Sequence, residues 1–142
     1  MKIFKIGFLV FIGIWATSSC TQKDTNENPI KSEDMIIRIS EIEIDSNYLD
    51  EYIAILKTEA EASVRLEPGV ISIYPMFQKE NPNEIRILEI YKDRKSYELH
   101  LQTPHFKHYK TTTLEMVKSL KLVDMEAIDK ETMSQIFEKL SD

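Results

Sequence analysis

The chain predicts an α+β domain of the ferredoxin-like, split β-α-β kind, and three observations carry that prediction. Apolar residues recur with a period of about two or about 3.6 in the order strand, helix, strand, strand, helix, strand. The middle two strands are joined by a turn around Asn81-Pro82-Asn83, so they read as a hairpin. The segment Glu41-Ile42-Glu43-Ile44-Asp45 before the first helix is faintly echoed by Leu88-Glu89-Ile90-Tyr91 before the second.

The first strand is Met35 to Ile44. It is rich in β-branched residues, and Glu41-Ile42-Glu43-Ile44 alternates as a half-buried strand does. Asp45 or Ser46 then caps a helix with an apolar stripe of Leu49, Tyr52, Ile53, Leu56, Ala60 and Val64. Glu51, Lys57, Glu59 and Glu61 fall on its other side. Glu67-Pro68-Gly69 stops this helix. Val70 to Gln78 is the second strand, and Pro75 within it has no N–H for a ladder, which requires an edge position or a bulge. Glu84 to Tyr91 is the third strand. Asp93 to Gln102 is a short helix with Tyr97 and Leu101 on one face. His105 to Val117 is the next, with Phe106, Tyr109, Lys110, Thr113 and Val117 aligned, and Ser119 to Met125 is the last strand. The domain so delimited covers residues 34–128. Residues 129–142 form a terminal amphipathic helix whose stripe of Met133, Ile136, Phe137 and Leu140 must dock on the domain or on a partner subunit.

At 142 residues the chain suffices for one domain with a modest core. The net charge of −6, with no visible basic patch, argues against nucleic acid as a partner. The single cysteine, Cys20, excludes an internal disulfide and a cysteine metal cluster. Residues 1–19 carry Lys2 and Lys5, an apolar run from Ile6 to Trp15 too short to span a bilayer, and then small residues up to Cys20. This resembles a bacterial lipoprotein signal peptide, which implies cleavage before Cys20, its lipidation, and anchoring in the cell envelope, facing the periplasm or the surface. Residues 20–33 would then be a polar, flexible tether.

All three histidines fall in His100-Leu101-Gln102-Thr103-Pro104-His105-Phe106-Lys107-His108-Tyr109. Thr103 suits an N-cap and Pro104 the first helical position, because proline's missing N–H would have no intrahelical partner there. His105 then sits in a first turn, where the helix dipole disfavours imidazolium and favours a ring able to accept a proton or bind a metal.

Glu67-Pro68-Gly69-Val70, Glu89-Ile90-Tyr91 and His100-Leu101-Gln102-Thr103-Pro104-His105-Phe106 together resemble the antibiotic biosynthesis monooxygenase superfamily, and most closely its small quinol monooxygenase branch. The third of these motifs is the specific one. The resemblance implies a homodimeric α+β barrel and a pocket for a flat phenolic or quinone-like molecule. It also implies oxygen insertion without flavin, haem or metal, the substrate anion itself being the reductant. The protein then supplies a base, an oxygen-admitting apolar cavity and donors for the anion. Glu89 and Tyr91, two apart on a strand, share a face that the helix bearing His100 should cover. These positions suggest His100 as base oriented by Glu89, Tyr91 stacked on the substrate ring, and His105 or Tyr74 as a further substrate contact. The competing role for Glu89 and His100 is a buried pair that fixes helix to sheet.

Other activities fit less well or need less machinery. Haem degradation, known on the same fold, needs a strand Trp, a first-strand Asn and a helix His. Those positions hold Tyr91, Ser40 or Glu41, and Lys110, and His108 is turned roughly 200° away. Isomerisation of a small oxygenated metabolite needs only a base and a donor, and a non-catalytic lipoprotein that binds a small ligand needs neither.

Overall fold

The computed structural model describes residues 33–129 and 132–139, so the expected signal peptide, most of the expected tether and Cys20 lie outside the described residues. Nine elements follow in order: β1 (Ile36–Ile44), a 3₁₀ turn (Ser46–Tyr48), α1 (Leu49–Leu66), β2 (Val70–Phe77), β3 (Glu84–Tyr91), α2 (Arg94–His100), α3 (Pro104–Thr112), β4 (Val117–Met125) and α4 (Thr132–Glu138). The four strands make one antiparallel sheet in the order β2-β3-β1-β4, the ferredoxin-like α+β arrangement expected. Strand β2 lies at an edge, which is where Pro75 costs no central ladder bond.

Alternation along β1 sends Arg38, Ser40, Ile42 and Ile44 to the face packed by α1, where Ile42 and Ile44 meet Tyr52, Leu56 and Ala60. Ile85, Ile87 and Tyr91 complete this core from β3. The buried stripe of α1 differs from the expected one. Val64 is 48% exposed, whereas Glu59 and Ser63 are buried, so the true stripe runs through positions 52, 56, 59, 60 and 63. That set keeps the i, i+3, i+4, i+7 spacing but places a carboxylate inside.

Asp45 caps the 3₁₀ turn by accepting from the Asn47 N–H at 2.9 Å, and α1 starts only at Leu49. The helix break is as the sequence predicts at its start, with Thr103 Oγ1 accepting from the Phe106 N–H and Pro104 first in α3. Helix α3 ends earlier than expected. Val117 belongs to β4, because the Met116 carbonyl already accepts from the Asp45 N–H beside β1.

Gly69 is required by close packing and not by its dihedrals, since among the described residues no glycine has positive φ. A Cβ there would stand 2.2 Å from Ser96 Oγ and 2.4 Å from Ser96 Cβ. Ser96 cannot retreat easily, because its N–H and hydroxyl both donate to Asp93 at the start of α2. Gly69→Ala should therefore cost about 1–3 kcal/mol in a urea unfolding curve. Adding Ser96→Gly should recover part of the loss. Equal midpoints for wild type and Gly69→Ala would show that the two segments separate without cost.

The outer face of the sheet carries Ile37, Ile39, Tyr74, Leu88 and Ile90, and these line a cavity of about 540 Å³ with Met133 and Ile136 of α4. The terminal helix thus lies beside the outer face of its own sheet. Phe137 and Leu140, expected in its stripe, lie outside the described side chains. Among the described residues no helix is long and apolar enough to cross a membrane.

Candidate functional site

Between the inner face of the sheet and the α2–α3 break lies a cavity of about 220 Å³. Arg38, Ser40, Glu89 and Tyr91 form its floor, and Tyr97, His100, Phe106 and Tyr109 its walls. Strand alternation brings the floor residues to one face, and the Thr103-Pro104 break turns the chain so that both helices reach the cavity.

His100 is 2% exposed, its ring centroid 4.6 Å from that of Phe106 and 5.3 Å from that of Tyr91. Its Nδ1 lies 3.0 Å from Glu67 Oε1, while its Nε2 stands 3.8 Å from Glu59 Oε1. His105 Nε2 lies 2.6 Å from the same Glu67 oxygen. One carboxylate at the end of α1 therefore holds both imidazoles. A carboxylate on Nδ1 places the proton there and leaves Nε2 with a lone pair, the form a general base needs.

Glu89 does not orient His100, which corrects the expected pairing. The Ser40 hydroxyl donates to Glu89 Oε1, and the Tyr91 hydroxyl donates to Oε2 at 2.9 Å. Both carboxylate oxygens are thus committed along the sheet, and Glu67 is the orienting group instead. Tyr74 is also corrected: it lies on the outer face, 61% exposed, with the whole sheet between it and His100. His105 is brought to Glu67 but lines a different cavity, between α1 and α3 with Ala54, Ile55 and His108. Tyr91 is where the sequence put it, on the cavity floor.

The sequence reading missed Glu67, Glu59 and Arg38 as site residues. Glu67 has a signal, its place in the Glu67-Pro68-Gly69-Val70 motif, which marks a helix stop and a family resemblance but assigns the carboxylate no site role. Glu59 had one too, since it is seven residues from Tyr52 and three from Leu56. Arg38 is a cation among isoleucines in β1. Its Nε donates to Asp124 at 2.8 Å, and its guanidinium carbon lies 4.9 Å from the centre of the Tyr97 ring. Burial works against its charge, but Asp124 and Tyr97 outweigh it and hold its pKa above the usual arginine value.

Burial, reinforced by Glu89, pushes the Tyr91 hydroxyl up, so it stays a proton donor. Burial also pushes Tyr109 up to about 12, against the hydrogen bond from Tyr52, whose hydroxyl is 2.7 Å away. The Glu59 carboxyl is pushed up by burial, against the Ser63 hydroxyl and the charges of His100 and His105, with Glu67 adding to the rise. The folded chain therefore keeps a Glu59 proton that the unfolded chain releases. Stability from this source is full below the ordinary carboxylate range and declines as pH climbs through it toward the folded value. Glu59→Gln should flatten that decline, read as urea midpoints from about pH 4 to 8. Parallel profiles for variant and wild type would show that Glu59 carries none of it.

Among the described residues, Glu67, His100 and His105 form a group able to offer three ligand atoms to a metal, all within 4.8 Å of one another.

The family described as antibiotic biosynthesis monooxygenase matches residues 35–112. A solved structure from Bacteroides thetaiotaomicron, named as a candidate antibiotic biosynthesis monooxygenase, is 48% identical over 70% of this chain and 94% of its own, with a TM-score of 0.69. A candidate monooxygenase from Lactobacillus acidophilus is 28% identical over 64% of this chain and 43% of its own, with a TM-score of 0.63. A candidate antibiotic biosynthesis monooxygenase from Nitrosomonas europaea, 20% identical over 68% of this chain and 93% of its own at a TM-score of 0.64, bears on the fold alone. No curated protein matches the chain at a significant level.

Proposed function

The chain belongs to the antibiotic biosynthesis monooxygenase family, and from that premise we propose that it oxidises a small quinol or phenol with O₂ in the cavity beneath His100. The observation that carries the reading is the His100 ring, buried on the cavity wall with Nδ1 held by Glu67 and Nε2 left to act. His100 Nε2 takes a hydroxyl proton from the substrate. Arg38 faces the resulting anion, and Tyr91 and Tyr97 offer ring faces to a flat molecule. At about 220 Å³ the cavity is below the usual range of about 300–1,000 Å³ for ligand pockets, which favours a small substrate.

The substrate supplies all the electrons. For a naphthoquinol, one oxygen atom of O₂ enters the ring and the other leaves as water, and the product is the hydroxyquinone. Four electrons leave the organic molecule, so no separate reductant is consumed.

Cys20 would be lipidated and would tether the domain to the bacterial envelope, facing the periplasm or the surface. That setting suits a substrate that partitions into lipid. The apolar outer face of the sheet would pair with a second copy to make the homodimer.

The test is oxygen uptake by the full chain in detergent micelles, with menadiol and related hydroquinones and no added flavin or metal. Uptake above the spontaneous rate, with one labelled oxygen from ¹⁸O₂ in the product, supports the reading. Conversion that persists without O₂ would make the protein an isomerase. Saturable binding without conversion would make it a ligand-binding lipoprotein.

A further inference from the structure

We propose that Glu67, His100 and His105 form a binding site for a divalent transition-metal ion, Zn²⁺ being the first candidate. Three separate elements deliver the ligands. Glu67 caps the end of α1, His100 is the last residue of α2, and His105 follows Pro104 at the start of α3. The three side chains are only 11%, 3% and 19% exposed, so the donor atoms are held by packing and not by chance contact at a surface.

Two of the three ligand–ligand separations are near those of a loaded site, and the two imidazole nitrogens lie within 4.8 Å of each other. Ligands about 2.0–2.2 Å from an ion, at tetrahedral or octahedral angles, stand about 3.0–3.5 Å from each other. His100 Nδ1 is 3.0 Å from Glu67 Oε1, and His105 Nε2 is 2.6 Å from it, so His105 needs to retreat by a few tenths of an ångström. Two imidazoles and one carboxylate suit zinc or iron(II) and leave further coordination positions for water. Access is available, because His105 lines the cavity of about 270 Å³ between α1 and α3. The Glu59 carboxyl group stands outside the three ligands, 3.8 Å from the other nitrogen of His100.

Metal binding changes His100 in a specific way. In the metal-free chain its Nδ1 carries the proton toward Glu67. An ion on Nδ1 needs that lone pair, so the proton moves to Nε2 and points toward Glu59. On the function proposed above, which this consequence alone depends on, the loaded site would hold His100 in the form that cannot act as a base.

The experiment uses the full chain in micelles, stripped with chelator, and reads binding directly. Zinc titration calorimetry should give one ion per chain, and Co²⁺ should develop visible d–d bands. Histidine ¹⁵N spectra should show His100 changing from the Nδ1–H to the Nε2–H tautomer on zinc addition. His105→Gln should weaken binding at least tenfold, with circular dichroism confirming the fold. Glu61→Gln, exposed on α1, should leave binding unchanged. A chain that takes up no zinc and shows no Co²⁺ bands overturns the proposal. So does a folded His105→Gln variant that binds as wild type does, or zinc uptake that leaves the His100 tautomer unmoved. None of these readouts depends on turnover, so failure of the quinol reading would leave them interpretable.

Discussion

His100→Gln is expected to lower kcat for quinol-dependent oxygen uptake by about 10²- to 10⁴-fold, the range that general acid–base groups supply. The side chain is nearly completely buried on the cavity wall, between Phe106 and Tyr91, and its Nδ1 is fixed by Glu67. Glutamine keeps a polar group there but cannot accept a proton from a phenol. Binding should persist, since Arg38 and the aromatic walls are untouched. The comparison with Glu89→Gln separates this role from general damage to the site. Glu89 accepts from the Ser40 and Tyr91 hydroxyls and does not touch His100, so that variant should alter substrate affinity more than kcat. Stopped-flow formation of the quinol anion, followed by absorbance, reports the step itself. A His100→Gln enzyme that forms the anion at the wild-type rate would remove His100 from the chemistry.

Glu67→Gln is expected to have the second largest effect, on two readouts together. Turnover should fall about 10- to 100-fold, because an amide no longer dictates which nitrogen of His100 carries the proton. Stability should fall by about 1–3 kcal/mol, because one charged acceptor serves both imidazoles and a buried donor loses that partner. Steady-state kinetics should show the loss in kcat, with KM little changed, since Glu67 does not line the substrate cavity. Urea unfolding gives the stability term separately. Loss confined to KM would mean that Glu67 shapes the pocket, and unchanged kcat would mean that His100 finds its tautomer without help.

Much of the architecture follows from local signals. The strand and helix periods, the Asn81-Pro82-Asn83 turn, Pro75 on an edge strand and the Thr103-Pro104 helix start are each decided by residues within a few positions of one another. The chemistry of a proline ring or an N-cap hydroxyl needs no distant partner, so these features can be read directly. The shared face of Glu89 and Tyr91 belongs to the same class, because strand alternation has a period of two.

The partner of His100 was of the other kind. Glu67 and Glu89 are both carboxylates at the ends of elements, and either could have met the histidine on composition alone. Packing decides between them. Helix α1 ends where α2 and α3 join, 33 residues from His100 in sequence, while Ser40 and Tyr91 occupy Glu89 from within the sheet. The same holds for Tyr74. Its aromatic character is plain from the sequence, but only the ladder between β2 and β3 settles which face it takes. The sequence by itself determined the elements, their order and the family motifs. The tertiary structure alone decided which carboxylate holds His100, that Glu59 is buried beside it, and that Tyr74 lies across the sheet. The physical reason is that hydrogen-bond partnership and burial depend on where distant segments meet, and periodicity within a segment carries no information about that.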